Sequence, residues 1–199
     1  MKLPRKLDSA CSVFSDFKEP WFVAGGWAID LAIGRVTRQH NDIDFCIFRD
    51  SLHQFLSYFE EWKIEVSIPG TSQRLACQSI EDATLPRHEL HCDFENINIE
   101  ILLNDRAGEN LLFRRDTSIA LPLERFTCWT NDNIPFVHPA WLLLFKAKYS
   151  KEKDQKDFKE VIKILSKDDL KWLHQALCQH QPDSQWLREL NKLLYKRLN

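Results

Sequence analysis

The segment from residue 21 to residue 48 constrains the fold of this chain more than any other stretch. It reads WFVAGGWAIDLAIGRVTRQHNDIDFCIF, which is an apolar strand, the Gly25-Gly26 pair, a stretch that favours a helix, and a second strand. Adjacent glycines between a strand and a helix let the backbone approach a ligand closely, and the amides of the helix N-terminus suit a phosphate group. The segment therefore predicts a phosphate-binding turn followed by a strand.

The second strand, predicted over residues 42–48, carries two acidic side chains. Asp42 and Asp44 are two residues apart, so a strand would point both carboxylates to one face of its sheet. Neighbouring like charges are unfavourable unless a cation lies between them, and carboxylate oxygens are ligands that Mg²⁺ prefers. The pair predicts a magnesium site in which the ion also contacts a phosphate chain.

A third acid is expected to face this pair. Glu100 is the one acidic residue in the β-forming run INIEILL at residues 97–103. One carboxylate of such a group can deprotonate an acceptor hydroxyl while a metal ion and basic residues hold a triphosphate. Asp93, in the neighbouring run HELHCDF, is the competing candidate, and the apolar flanks of Glu100 favour Glu100 because they suit a central strand. The three acids predict in-line nucleotidyl transfer.

The chain divides into two parts with different secondary-structure patterns. Short β-forming runs at 21–24, 42–48, 63–68, 89–94, 97–103 and 111–114 come first, with helical patterns at 7–18, 27–34 and 51–62, and helical periodicity dominates after residue 139. Residues 1–138 hold 14 Lys+Arg and 21 Asp+Glu, whereas residues 139–199 hold 13 and 8. We therefore expect an α+β fold: a catalytic domain over 1–138, with a mixed β-sheet flanked by helices, and a small helical bundle over 139–199.

Composition excludes several classes of protein. With 44% hydrophobic and 28% charged residues, the chain has the composition of a folded globular protein. A net charge of -2 argues against a nucleic-acid partner. No apolar run is long enough for a membrane span, and the first residues lack the core of a signal peptide, so a cytoplasmic location is expected. The six cysteines are scattered, which predicts free thiols rather than disulfides or a zinc site.

Two motifs resemble one known family. The run GGWAIDLAIGRVTRQHNDIDF resembles the signature of the aminoglycoside 2''-nucleotidyltransferases, which belong to the polymerase-β-type nucleotidyltransferase superfamily together with the lincosamide nucleotidyltransferases. The run PAWLLLFKAKYSKEKDQKDF at residues 139–158 resembles a helix and a Lys-Asp-x-x-Asp-Phe segment of relatives of these enzymes. The resemblance implies a nucleotidyltransferase domain followed by helices.

The resemblance also implies a reaction. Asp42 and Asp44 would hold Mg²⁺, the triphosphate of an NTP, with ATP the expected donor, would lie over Gly25-Gly26, and an acceptor hydroxyl would attack the α-phosphorus and release pyrophosphate. Glu100 departs from the family pattern, because antibiotic-modifying members commonly have Asp there. The expected acceptor is a small molecule such as an aminoglycoside-like antibiotic. Transfer to a protein or RNA and a catalytically degenerate binding or toxin–antitoxin module are the alternatives.

Basic residues complete the expected site, because charge develops on phosphate oxygens during transfer. Arg35, Arg38 and His40 immediately precede the aspartate pair, where the resemblance places them near the active cleft. Lys146 flanks the buried stripe of the helix in the second motif, and Lys153 lies in the lysine-rich segment after it. These five residues are expected to bind the triphosphate, and the alternative for the two lysines is that they solvate an exposed helix face.

Overall fold

The computed structural model describes residues 3–196. Its strands are β1 (Trp21–Val23), β2 (Asp44–Phe48), β3 (Lys63–Ser67), β4 (Arg74–Ala76), β5 (Glu89–Phe94), β6 (Ile97–Ala107), β7 (Asn110–Leu112), β8 (Ala120–Pro122), β9 (Thr127–Trp129) and β10 (Pro135–Val137). Its helices are α1 (Arg5–Ser12), α2 (Gly25–Ile33), α3 (Leu52–Tyr58), α4 (Leu123–Phe126), α5 (Pro139–Lys146), α6 (Glu152–Ile164), α7 (Lys167–His180) and α8 (Trp186–Lys196).

The strands form one mixed sheet. Its order is β4-β3-β5-β6-β2-β1-β10-β9, and β7 and β8 extend it from the far part of β6. The pairs β2–β6 and β1–β10 are parallel, and the other pairs are antiparallel. With helices packed beside this sheet and a run of helices after it, the predicted α+β class is confirmed.

The centre of the sheet is the pair β2–β6, and its sequence explains why. The β2 residues from Phe45 to Phe48 are all buried, which is typical of a parallel strand covered on both faces. On β6, in contrast, buried residues such as Ile99 and Ile101 alternate with half-buried ones such as Glu100. The sheet thus presents one apolar face to the core and one polar face near the start of β2.

The C-terminal helices close over the sheet beside α2. Helix α5 begins with Pro139 at its first position, where a missing N–H costs nothing, and the His138 side chain accepts a hydrogen bond from the Ala140 amide. Stacked rings join the helices: Trp141 of α5 packs on Trp172 of α7. No helix among the described residues is long and apolar enough to cross a membrane. The domain boundary at residues 138/139 stays a prediction.

Several predicted boundaries differ from the structure. Strand β2 begins at Asp44 rather than at residue 42, because the Asp42 carbonyl accepts a hydrogen bond from the Trp27 indole and the loop there is exposed. Asp42 is therefore a loop residue, and strand alternation with Asp44 does not apply to it. Strand β6 runs on to Ala107, and helix α1 ends at Ser12, short of the expected residue 18. The short strands β4, β8, β9 and β10 were not predicted.

Candidate active site

Two acidic side chains meet at the centre of the polar face. Asp44, the first residue of β2, is the direct register partner of Glu100 on β6, so the two side chains stand on one face of the sheet. Their carboxyl groups are within hydrogen-bond reach of each other. Asp42, in the loop before β2, is close enough that its charge acts on both groups. These three residues, Asp42, Asp44 and Glu100, are called the carboxylate face below.

The carboxylate face is electrostatically unfavourable as it stands. Burial, the charge of Asp42 and the charge of Glu100 raise the pKa of Asp44 from 3.8 to about 7, although the charge of Lys146 opposes the shift. Burial raises the pKa of Glu100 as well, with Glu89 and Asp42 adding to it. At neutral pH a proton, or a cation of higher charge, is therefore attracted to Asp44.

The turn at Gly25 is shaped around Asp44. Gly25 has φ of +57°, a conformation that favours glycine, and a Cβ built on it would lie 1.7 Å from Asp44 Oδ2. The Ala24 amide donates to the Asp44 carbonyl at 2.7 Å, which ties the turn to β2. No side chain caps helix α2, whose N-terminus starts at this turn. Free amides and a carboxylate therefore adjoin one another, as a site for a metal-bound phosphate requires.

The second glycine makes room for two of the side chains predicted to bind phosphate. A Cβ on Gly26 would lie 2.4 Å from both Arg38 Nη2 and His40 Nδ1, so both side chains lie directly over the turn. His40 is buried and contacts the fully buried Asp30, with His40 Nε2 2.5 Å from Asp30 Oδ2. Asp30 also accepts from the Thr37 amide at 3.1 Å, which holds the loop before β2 against α2. The structure thus explains Asp30 as an anchor of this loop.

Arg38 and Lys146 are joined by acids of helix α6. Arg38 Nε lies 3.2 Å from Asp157 Oδ1, and Lys146 Nζ lies 2.9 Å from Asp157 Oδ2 and 3.1 Å from Asp154 Oδ1. Asp154 and Asp157 are buried. Burial opposes ionisation of Asp157, but hydrogen bonds and charges from Arg38 and Lys146 outweigh it and lower the pKa. We call Arg38, Lys146, Asp154 and Asp157 the ion-pair junction.

A cavity of about 230 Å³ opens next to Gly25 between the sheet and α5. Its walls are mostly apolar, and its charged lining consists of Lys146, Arg114, Arg115 and Glu89. Neither arginine has a carboxylate partner among residues 3–196. Burial, with the charge of Arg115 adding to it, lowers the pKa of Arg114 to about 10. The charge of Glu89, which also lines the cavity, partly opposes this shift. Sequence reasoning missed this adjacent arginine pair.

Three predicted candidates lie elsewhere. Arg35 is exposed and pairs with Glu160 at 2.8 Å in a separate surface groove, and Lys153 is exposed in the first turn of α6. The structure therefore brings neither cation to the cavity beside Gly25. Asp93 is the register partner of Asn98, whose side-chain amide donates to it, and it lies two positions along β5 from the partner of Glu100. The geometry favours Glu100 over Asp93 as the third acid.

Strand β5 adds two polar residues that the sequence analysis did not select. His91 is the register partner of Glu100, and Glu89 lies two positions further along the same face of β5. Glu89, His91 and Glu100 each place a potential ligand atom within 4.8 Å of the others. Cys92 points to the opposite face by strand alternation, so this cluster does not include the neighbouring thiol. Only the register of β5 against β6 shows this cluster.

The carboxylate face fits a divalent cation. All three side chains offer hard oxygen ligands, and their mutual repulsion, seen in the raised pKa of Asp44, is relieved when a cation binds. Asp44 adjoins the turn at Gly25 and feels the charge of Asp42, whereas Glu100 adjoins His91. The donor set thus suits Mg²⁺ on the Asp42–Asp44 side and leaves Glu100 for another task.

Comparison with known families supports one lineage. A sequence model of the aminoglycoside-2''-adenylyltransferase family matches residues 6–122. A 2''-aminoglycoside nucleotidyltransferase of Escherichia coli is 64% identical over 25 residues, which are 13% of this chain and only 14% of that enzyme. A lincosamide resistance protein of Staphylococcus haemolyticus is 22% identical over 161 residues, which are 80% of this chain and 94% of that protein.

Solved structures share the fold. The lincosamide antibiotic adenylyltransferase LnuA with lincomycin bound has a TM-score of 0.58 at 20% identity, covering 82% of this chain and 98% of LnuA. ANT(2'')-Ia in complex with adenylyl-2''-tobramycin has a TM-score of 0.51 at 13% identity, covering 97% of each chain. At these identities the likeness concerns the fold, whereas the matched sequence model covers more than half of this chain.

Proposed function

The chain belongs to the aminoglycoside-2''-adenylyltransferase family, a family of nucleotidyltransferases, and we propose that it transfers a nucleoside monophosphate from a magnesium-bound NTP to a small-molecule hydroxyl. The expected donor is ATP and the group transferred is AMP. The observation that carries the proposal is the pairing of Asp44 with Glu100 beside the uncapped turn at Gly25.

Glu100 acts as the general base in this proposal. Its carboxylate accepts the proton of the acceptor hydroxyl as the hydroxyl oxygen forms a bond to the α-phosphorus. The bond from the α-phosphorus to the bridging oxygen breaks, and pyrophosphate leaves with that electron pair. Burial and neighbouring acids raise the pKa of Glu100, which makes it a better proton acceptor than an ordinary exposed carboxylate.

In this proposal the Gly25-Gly26 turn and the adjoining cavity hold the donor phosphates. The free amides at the N-terminus of α2 and the side chain of Arg38 lie at the Gly25-Gly26 turn, where we place the triphosphate. Lys146, Arg114 and Arg115 line the adjoining cavity and would balance the charge of the donor and of the leaving pyrophosphate. Arg114 and Arg115 replace Arg35 and Lys153 in this role, since those two do not reach the cavity.

Asp42 and Asp44 would hold the magnesium ion. When bound, the ion supplies charge neutralisation to phosphate oxygens and thereby lowers the barrier to attack. The chain's own residues do the rest: Gly25 leaves room for the Asp44 carboxylate, and Trp27 fixes the loop of Asp42 through its hydrogen bond of 3.1 Å to the Asp42 carbonyl.

The relatives support a class of acceptor. Both solved neighbours bind antibiotics, lincomycin in one and an adenylylated tobramycin in the other. We therefore propose an aminoglycoside or a lincosamide as the acceptor. The apolar walls of the cavity, which include Trp141, Leu142 and Phe145, give a surface on which a sugar ring or a base can pack.

The test combines binding and turnover. Thermal melting with each of the four NTPs, with and without Mg²⁺, identifies the donor, since a ligand at 100 times its Kd adds about 2.7 kcal/mol. The protein is then incubated with that donor and a panel of aminoglycosides and lincosamides, and each acceptor is weighed by mass spectrometry. We expect a Mg²⁺-dependent melting shift and one acceptor heavier by one nucleoside monophosphate.

The matched control carries Asp42→Ala with Asp44→Ala and is expected to show neither the Mg²⁺-dependent shift nor the adduct. A cooperatively melting wild-type protein that responds to no nucleotide would refute the donor site. Nucleotide binding without any modified antibiotic would refute the proposed acceptors and would favour a protein or RNA acceptor.

A further inference from the structure

Behind Glu100 lies a buried histidine to which the sequence analysis gave no role. His91 of β5 is the register partner of Glu100 and is 4% exposed. Its Nδ1 is 3.4 Å from Glu100 Oε1. The histidine is on the side of Glu100 away from β2, because β6 lies between β5 and β2 in the sheet. Glu100 is thus flanked by Asp44 on one side and by an imidazole on the other.

The second ring nitrogen of His91, Nε2, also has partners. His91 Nε2 lies 3.0 Å from Glu89 Oε1 and 2.9 Å from Ser67 Oγ, and the Ser67 hydroxyl lies 3.1 Å from the same Glu89 oxygen. Ser67 is on β3 and Glu89 on β5, so two strands fix the ring. A buried side chain with both nitrogens in contact with partners has little freedom to rotate.

The same three side chains do not form a good metal site around the ring. Glu100 faces Nδ1 and Glu89 faces Nε2, which are different nitrogens of one imidazole. An ion bound to one nitrogen at a normal ligand distance of about 2.1 Å would leave the carboxylate at the other nitrogen outside its coordination shell. The arrangement instead links Ser67 and Glu89 to Glu100 through His91.

We propose that His91 is a positioning residue that orients the Glu100 carboxylate toward Asp44 and the acceptor hydroxyl. The inference rests on the proposed function, in which Glu100 is the base. A Glu side chain has one more rotatable bond than an Asp side chain, so its carboxylate needs a partner to keep one orientation. His91, clamped by Glu89 and Ser67, provides that partner. Hydrogen-bond partners that orient a metal ligand affect activity by about 10- to 100-fold, and we expect an effect of that size at Glu100.

Two substitutions of His91 distinguish the contributions of its two ring nitrogens. The shorter amide of His91→Asn can take the place of Nδ1 and keep the contact with Glu100, whereas the longer amide of His91→Gln can take the place of Nε2 and keep Glu89 and Ser67. We expect His91→Gln to lower kcat about 10- to 100-fold with the KM for the NTP nearly unchanged. We expect His91→Asn to recover most of that loss. His53→Gln, at an exposed position of α3, is the control and is expected to match the wild type.

A second readout does not depend on turnover. In metal-free protein the ¹⁵N resonance of His91 Nδ1 is expected to move in Glu100→Gln, since its neighbour loses a charge. It is expected to stay in place in Asp93→Asn, because the Asp93 carboxylate contacts the Asn98 side chain rather than the ring. If the wild-type protein shows no transferase activity, the proposed function fails, and this spectrum still decides whether His91 and Glu100 interact.

Three results would overturn the inference. An Nδ1 resonance that ignores Glu100→Gln would show that the contact is absent. Equal losses of kcat in His91→Gln and His91→Asn would show that packing of the ring, and not its Nδ1 edge, is what matters. Stoichiometric binding of Zn²⁺ or Mn²⁺ that His91→Gln abolishes, while Asp42→Ala with Asp44→Ala retains it, would make the cluster a metal site instead.

Discussion

The carboxylate face and the ion-pair junction use the same kind of residue in opposite ways. At the carboxylate face three acids stand together, and the pKa of Asp44 is raised to about 7. At the ion-pair junction the buried Asp157 contacts Arg38 and Lys146, and its pKa is lowered. Both regions adjoin the turn of Gly25 and Gly26, directly or through Arg38.

The difference indicates that the carboxylate face serves the reaction and that the ion-pair junction serves the fold. A buried acid with its cations in place stabilises the fold and needs nothing further, whereas a cluster of like charges stores electrostatic repulsion that a bound cation can relieve. The junction links the loop before β2 to α5 and α6. It thereby holds Arg38 and Lys146 near the carboxylate face without cancelling the repulsion among the three acids there. Substitutions in the two regions are therefore expected to have effects of opposite sign on stability.

The largest effect is expected at Glu100. Glu100→Gln keeps the size of the side chain but removes its capacity to accept a proton, so kcat should fall about 100- to 10 000-fold while the nucleotide still binds. Steady-state kinetics with the identified donor and acceptor measure both quantities. Asp93→Asn is the matched comparison, since Asp93 is the competing acid; a large loss of kcat in that variant with an active Glu100→Gln would reverse the assignment.

Gly25→Ala tests the contact between the turn and the carboxylate face. The added Cβ would lie 1.7 Å from Asp44 Oδ2, so the carboxylate must move, and a displacement of this size costs about 100-fold in transfer rate. Gly34→Ala is the control, because Gly34 also has a positive φ, +81°, but no atom lies within 4 Å of its added Cβ. Equal activity of the two variants would show that backbone strain alone decides the result.

Asp157→Asn tests the ion-pair junction. Removing the carboxylate leaves Arg38 without a carboxylate partner and Lys146 with Asp154 as its remaining acid, so the free energy of unfolding should fall by about 3 kcal/mol in urea titrations. The comparison is Glu160→Gln, which removes the exposed partner of Arg35 and should change stability little. A junction that tolerates Asp157→Asn without loss would be no more than a surface ion pair.

Asp44→Asn is expected to have the smallest effect and the opposite sign. The pKa of Asp44 is higher in the folded chain than in the unfolded chain, so the folded state binds more protons and this group lowers stability as pH rises from about 4 to about 7. In metal-free protein the variant should therefore be more stable than the wild type by about 1 to 2 kcal/mol at pH 8.

The advantage of Asp44→Asn should be small at pH 4, where the wild-type carboxyl is protonated in the folded state and about half protonated in the unfolded state, whose ordinary pKa is 3.8. Urea titrations at the two pH values in the presence of a chelator measure this difference. A variant that is less stable than the wild type at pH 8 would contradict the account of the carboxylate face as a site of stored repulsion.

The sequence predicted the parts of the site that are local. The turn at Gly25-Gly26, the strand of Asp44 and the strand of Glu100 are each visible in a few consecutive residues, because strand pattern and glycine pairs are short-range signals. Asp42 was assigned to the strand because alternation fits it, although a hydrogen bond from Trp27, fifteen residues away, holds it in a loop.

The other parts of the site depend on contacts between residues that are far apart in the sequence. Asp157 contacts Arg38 across 119 residues, and nothing in either segment indicates that the other lies beside it. Buried acids inside the apolar stripe of α6 were the available signal, because Asp154 and Asp157 share a helix face with Val161. Glu89 and His91 join the site only through the register of β5 against β6, which a sequence pattern does not specify.

The most direct test of the central claim is the mass of the acceptor after reaction with NTP and Mg²⁺, measured side by side for the wild type and Glu100→Gln. The account predicts one nucleoside monophosphate added by the wild type, with pyrophosphate released in equal amount, and almost none added by the variant. An unmodified acceptor with both proteins, or equal modification by both, would contradict it.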